Sequence, residues 1–221
     1  MSDTVATLLL LTDARLPAGG HAHSGGLEAA VVAGRVRDLD DLASFLRGRL
    51  ATAGRVAAAF AAAACARPDE APILDIGLDA RTPSSAQRRT SRAQGRALLR
   101  VGRAMWPQLV LTAHLRHEGP HQPVALGIVG AAAGATPCQV GTAAAYGAVA
   151  GPASAATRLL GVDPYQVHAV LATLAPACDA LGAAAADRAH DPVEELPAAS
   201  APLLDLYAES HADWEVRLFA S

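Results

Sequence analysis

Two histidines in a glycine-rich segment are the residues whose type and spacing first suggest chemistry. His21 and His23 lie in Leu-Pro-Ala-Gly-Gly-His-Ala-His-Ser-Gly-Gly-Leu-Glu, residues 16–28. Imidazole is a ligand that suits nickel. Two histidines do not complete a coordination shell, and no cysteine or acid cluster lies within a few residues. We therefore expect no metal site here, and a nickel-binding chaperone that uses both histidines stays an alternative.

The glycines of the same segment predict a loop built for contact. Gly19, Gly20, Gly25 and Gly26 are four glycines between two apolar runs that resemble helices. Glycine is selected where the backbone takes a positive φ or where another backbone or ligand must come close.

Arginines recur every four residues at Arg88, Arg92, Arg96 and Arg100, here named the arginine stripe, and Arg103 follows. Such a helix face could track nucleic-acid phosphates, which leaves a helical nucleic-acid-binding protein as a second alternative. No aromatic residues are interleaved, so we favour a solvated face or pairing within the chain. Residues 187–221 hold eight acids against two arginines and could supply the opposite charge.

Motifs of common catalytic sites are absent from the sequence. We find no Gly-x-Ser-x-Gly elbow, no phosphate-binding Gly-Lys-Ser/Thr loop and no His-Glu-x-x-His helix. His168 and Cys178 are ten residues apart, which is neither a ligand pair one helical turn apart nor an evident nucleophile–base pair. We predict a protein that is not an enzyme and holds no cofactor.

Composition favours closely packed helices. Of the 221 residues, 52% are hydrophobic but only 4% are aromatic, so Ala, Val and Leu must build the core. Strands of a β-sandwich are usually richer in β-branched and aromatic residues. We predict an all-α fold, a single-domain, Ala-rich bundle of about nine or ten helices. The net charge of −3 gives no general reason to expect nucleic-acid or membrane binding.

Cysteine usage and the N-terminal charge order predict a cytoplasmic protein. The three cysteines form no Cys-x-x-Cys pair. Asp3 precedes the first leucine run and no basic residue comes before Arg15, the wrong order for a secretory signal. Residues 119–157 carry no charge, but prolines divide them into pieces shorter than a membrane span. We expect buried helices there and no membrane contact.

Capping residues and glycines predict where helices begin and end. A side chain able to cap a helix stands before each of four starts, at Asp38, Thr82, Thr136 and Asp163, and the last three precede a proline. Gly34, Gly134 and Gly161 stand where helices should stop. The predicted helices lie near 4–14, 24–34, 39–66, 83–105, 123–134, 137–150, 153–160, 164–189 and 203–219. Residues 109–111 are the nearest candidate for a strand.

The C-terminal region divides the chain into a predicted helical domain, residues 1–190, and a tail, residues 191–221. Three prolines precede an apolar helix in this tail. A proline-rich tether followed by an apolar helix can dock on a partner. A C-terminal helix that packs on its own domain is the other interpretation.

Several ordered motifs resemble the UreF family of urease accessory proteins. Residues 16–28 are similar to its signature Leu-Pro-x-Gly-Gly-aromatic-Ser-x-Ser-x-Gly-Leu-Glu, with His21 in place of the aromatic residue. Residues 91–99, 123–127 and 155–160 resemble later family motifs in the same order. After Leu159 the chain departs from the family's Pro-Leu-Gly-Gln, so only Arg158 and Gln166 are carried over from that turn.

This resemblance implies an adaptor role. A UreF protein bridges the UreD/UreH subunit and the nickel-carrying GTPase UreG, helps nickel insertion into apo-urease, and forms a homodimer. The C-terminal region of the family is associated with UreD/UreH binding. The partner-binding residues that follow are Leu16, Pro17, Gly19, Gly20, His21, His23, Ser24, Gly26, Leu27, Glu28, Arg158, Gln166, Leu203, Leu206, Tyr207, Trp214, Leu218 and Phe219.

Overall fold

A computed structural model describes residues 5–13, 15–18, 20–109 and 119–219, with His21 described in its backbone only. These residues form helices and turns, and none of them lies in a β-strand, which confirms the all-α prediction. Of the candidate strand, residues 110 and 111 lie outside the described part. The helices are α1 (Val5–Thr12), α2 (Leu27–Val32), α3 (Leu39–Arg49), α4 (Arg55–Ala66), α5 (Ala71–Ala80), α6 (Ser85–Met105), α7 (Gln122–Ala132), α8 (Pro137–Leu159), α9 (Pro164–Asp187) and α10 (Pro202–Ala212).

Helix α4 is the centre of the bundle and packs against α7, α8 and α9. Every residue from Ala58 to Ala64 is at most 2% exposed. Small side chains allow the neighbouring helices to come close: a Cβ added at Gly127 of α7 would lie 2.5 Å from the Ala61 carbonyl oxygen. The prediction of a core built from small residues is therefore correct, since larger side chains would force these helices apart.

Three of the four predicted helix caps are confirmed by their capping contacts. The side chains of Asp38, Thr136 and Asp163 each accept a hydrogen bond from a backbone N–H in the first turn of α3, α8 and α9. The predicted cap at Thr82 is wrong. Ser84 caps α6 instead, accepting from the Gln87 N–H, because the helix begins after Pro83 and not at it.

Glycines end three helices as predicted. Gly34, Gly134 and Gly161 have φ of 67°, 77° and 65°, a region that favours glycine. The predicted helix 39–66 is continuous, with a π-helical turn at Leu50–Gly54 between α3 and α4.

The two helices predicted at 137–150 and 153–160 form one helix, α8. Pro152 lies inside it and lacks the N–H that would bond to the Ala148 carbonyl, one turn earlier. The Arg49 Nε donates to that carbonyl oxygen at 2.8 Å, so the lost hydrogen bond is replaced from another helix.

Two further predictions are corrected at α5 and α10. No helix was predicted near residues 71–80, yet α5 forms there and Pro72 fits its first turn. The last predicted helix, 203–219, ends at Ala212. The backbone N–H groups of Leu218 and Phe219 bond to a side chain of α2 instead of continuing the helix.

Helix α9 has a long exposed face of small apolar residues. Among the described residues it is the one helix long and apolar enough to cross a membrane. The most apolar 18 residues of this helix have a mean hydropathy of 1.6, and 22% of them are buried. The helices of the uncharged stretch differ: α7 is buried over most of its length, as predicted.

Candidate partner-docking surface

The carboxylate of Glu28 joins the glycine-rich loop to the C-terminal region. Its Oε2 is 2.8 Å from Nε2 of His211 and accepts the Phe219 N–H at 3.1 Å, while Oε1 accepts the Leu218 N–H at 2.9 Å. Glu28 is 5% exposed and His211 is 1% exposed. At the start of α2, the buried Ser24 hydroxyl accepts the Glu28 N–H and fixes the backbone that carries this carboxylate.

Helix α10 is fixed at two further points. Gly26 has φ +89°, which favours glycine, and a Cβ added there would lie 3.1 Å from Leu204 Cδ2, so the loop and α10 are in close contact at this point. Glu209 accepts hydrogen bonds from the Ser84 hydroxyl at 2.6 Å and from the Ala86 N–H at 2.9 Å, at the first turn of α6. The Ser84 hydrogen bond holds the pKa of Glu209 below its ordinary value.

The chain after α10 folds back over α8 and α2. Phe219 is 7% exposed, and the Arg158 guanidinium carbon lies 5.7 Å from the centre of its ring. The rings of His211 and Trp214 are 4.7 Å apart. Nδ1 of His211 is buried and has no hydrogen-bond partner among the described residues. The structure thus brings Arg158 of α8 to the C-terminal segment.

Two arginines fix the proline-rich segment that leads to α10. Arg81 donates to the carbonyl oxygens of Pro197 at 3.1 Å and Val193 at 2.7 Å. Arg67 donates to those of Ala189 at 3.0 Å and Asp191 at 2.6 Å. This segment, which its composition suggested was a tether, lies against the bundle.

The sequence-predicted partner-binding residues differ in how exposed they are. Four are buried within the chain: Ser24, Leu27, Glu28 and Phe219. The exposed members are Pro17, Gly20, Arg158, Gln166, Leu203, Leu206 and Leu218, and the partly buried ones are Leu16, His23, Gly26, Tyr207 and Trp214. Gly19 and the His21 side chain lie outside the described part.

The described side chains, which do not include that of His21, form no candidate metal cluster. Among them, no group of three or more His, Cys, Asp or Glu side chains comes together. His23 is partly buried beside the glycine-rich loop.

The arginine stripe is partly turned into the protein. Arg92 is 16% exposed and pairs with Asp75 at 2.8 Å and with Asp79 at 3.1 Å. Nε2 of His121 lies 2.9 Å from the same Asp79. Burial acts to raise the pKa of Asp79, but the hydrogen bonds from His121 and Arg92 outweigh it and hold this pKa below its ordinary value. Pairing within the chain was predicted, although these acids come from α5 and not from the C-terminal tail.

Comparison with known proteins identifies the family. The family model described as UreF matches residues 36–175, and a urease accessory protein UreF from Mycobacterium sp. (strain JLS) is 48% identical over 218 residues, 99% of both chains. The chain belongs to the UreF family of urease accessory proteins. UreF proteins from Mycolicibacterium vanbaalenii (strain DSM 7251) and Mycobacterium tuberculosis (strain H37Rv) are 43% and 38% identical over 221 and 220 residues, covering 99% of both chains in each case.

In this UreF chain, sequence reasoning missed the residues that fix the docking surface. Glu209 was counted only among the acids of the tail, and His211 was given no role. Nothing in the sequence pattern singled out Arg81. A histidine and a glutamate on the apolar helix α10 were the available hint, because such groups near a buried face need partners.

Proposed function

We propose that this UreF chain links a UreD/UreH-type protein to a UreG-type GTPase during nickel insertion into apo-urease. The observation that carries the proposal is an exposed apolar surface, here the tail surface, formed by Leu203, Leu206 and Leu218 on the anchored C-terminal segment. These leucines are 52%, 67% and 68% exposed. Contiguous exposed apolar patches are typical of protein interaction sites.

Anchoring by Glu28 favours docking because it lowers the ordering cost of binding. A segment that is already fixed loses less conformational entropy on association than a free tail. Leu203 and Leu206 are three residues apart and share one face of α10, so one partner groove can receive both. The family resemblance supplies the partner, since the C-terminal region of UreF proteins is associated with UreD/UreH binding.

A matched pair of double variants tests the docking surface. Leu203→Asp with Leu206→Asp should weaken binding of the UreD/UreH-type partner by about 100-fold or more, because each leucine contributes roughly 1.5–3 kcal/mol when buried. Ile73→Asp with Ile76→Asp on α5 is the control: these residues are 52% and 61% exposed and also three apart. Equal affinities of both variants, measured by calorimetry with circular dichroism as a folding check, contradict the proposal.

The proposed role is geometric, with chemistry left to the GTPase and apo-urease in the cytoplasm. The pure chain should hydrolyse no GTP, because its sequence has no phosphate-binding loop. Measurable turnover that persists through purification contradicts this part of the proposal.

We also propose the homodimer that the resemblance implies. The exposed small-residue face of α9 is an apolar surface that a second copy could cover. Ala180 lies on this face, so Ala180→Arg should shift the mass measured by light scattering from dimer to monomer. A dimer mass that stays unchanged assigns the contact to another face.

A further inference from the structure

An open cavity of about 430 Å³ lies between the glycine-rich loop, the α3–α4 junction, α6, α8 and α10. Its volume is in the range of small-molecule sites. Apolar residues such as Leu98 and Leu126 line much of it, and Arg49, Gly25 and Gly26 line the part next to the loop. The π-helical turn Leu50–Gly54 begins directly after Arg49. Such turns are frequent at functional sites.

Arg49 is a partly buried cation in the wall of this cavity. Nε donates to the Ala148 carbonyl oxygen at 2.8 Å, and Nη1 donates to that of Gly25 at 2.7 Å. Both acceptors are neutral. No described carboxylate forms an ion pair with this guanidinium, and no described residue accepts a hydrogen bond from Nη2. Burial lowers the pKa of Arg49 to about 10, so the side chain keeps its proton at neutral pH.

The loop leaves Nη2 uncovered. Gly25 has φ +59°, and a Cβ added there would lie 2.9 Å from Nη2, so any side chain at this position would crowd the free donor. A cation that has lost part of its hydration is stabilised by an opposite charge. The guanidinium fork matches the oxygens of carboxylates and phosphates, whose charge would supply the missing partner.

We propose that Arg49 and the adjoining cavity bind a small oxyanion, a carboxylate or a phosphate. The two carbonyl hydrogen bonds fix the guanidinium, and Nη2 contacts the ligand. This site is separate from the tail surface and does not depend on the proposed adaptor role.

Titration of the full chain with acetate, and separately with inorganic phosphate, tests the site in a chloride-free buffer. Arginine guanidinium NMR signals are followed in protein labelled at arginine, and Arg49→Lys identifies the Arg49 signal by its loss. The expected result is a saturable shift of that signal with at least one anion. A weak shift of many exposed arginines together, growing linearly with anion concentration, overturns the proposal.

Two glutamine variants supply the affinity test. Arg49→Gln should bind the anion at least about tenfold more weakly, which corresponds to a loss of 1.4 kcal/mol or more. Arg47→Gln removes the same charge from an exposed position on the same helix and should bind like the unchanged chain. Equal affinity of all three proteins overturns the proposal. If Arg49→Gln does not fold, the saturable or linear response of the unchanged chain decides alone.

Discussion

Replacing Glu28 with glutamine should weaken the attachment of the C-terminal segment to the bundle while the helices stay folded. The carboxylate has three partners: His211 and the N–H groups of Leu218 and Phe219. A glutamine keeps one acceptor oxygen and turns a donor NH₂ group toward at least one of these partners. A hydrogen bond to a charged group contributes roughly 1.5–3 kcal/mol, so losing one of the three costs about 1.5–3 kcal/mol of docking free energy.

Native-state hydrogen exchange measures this loss directly. A cost of about 1.5–3 kcal/mol should speed exchange at the Leu218 and Phe219 amides by roughly 10- to 150-fold, because local opening controls their protection. Amides of α4 should keep their protection. Glu215→Gln is the matched control, since it removes the same charge from an exposed position in the same segment. Unchanged protection at both amides, or an equal loss in α4, refutes the anchoring role of Glu28.

Three other predictions concern the bundle itself. Gly95→Ala should lower the unfolding free energy by about 1–3 kcal/mol, because its Cβ would press on the backbone of residues 119–121. Gly48→Ala has open space around its Cβ and should raise the unfolding free energy by about 0.5–1 kcal/mol. Urea titrations of the two variants measure these changes. Burial lowers the pKa of His121 below its ordinary value of 6.5. The neutral histidine therefore contributes fully to stability above about pH 6.5, and this contribution is lost as the pH falls to the folded-state pKa. His121→Gln should remove this pH dependence from the midpoints of urea unfolding. Burial raises the pKa of Cys65 to about 11, so little of this thiol is a reactive thiolate at pH 8. A thiol reagent should therefore label Cys138, which is only partly buried, before Cys65, and peptide mass spectrometry measures the order.

Local signals predicted the fold well because they act within one turn of the chain. Asp38, Thr136 and Asp163 each cap a helix through an N–H two or three residues away. Such contacts depend on sequence neighbours alone, so their pattern is visible in the sequence. The alanine-rich core was predictable for a related reason, since composition limits how closely helices can pack.

The docking surface was less predictable because its contacts join distant parts of the chain. Glu28 and His211 are 183 residues apart, and Ser84 and Glu209 are 125 apart. The family signature marked Glu28 as a partner contact, and the structure shows the side chain buried under the C-terminal segment. Its proposed effect on a partner is therefore indirect, through the position of the leucines on the tail surface.

Helix-internal prolines show when such a distant contact is required. Pro152 is buried and Ala148, one turn before it, is partly buried, and Arg49 of α3 donates to the Ala148 carbonyl that Pro152 leaves unbonded. Pro176 of α9 and Ala172, the residue one turn before it, are both exposed. Solvent can therefore hydrate the Ala172 carbonyl, and no hydrogen bond from another helix is needed. Both prolines look alike in the sequence. The contact that replaces the missing hydrogen bond at Pro152 comes from a distant helix, which is why the sequence-based division of α8 at Pro152 was wrong.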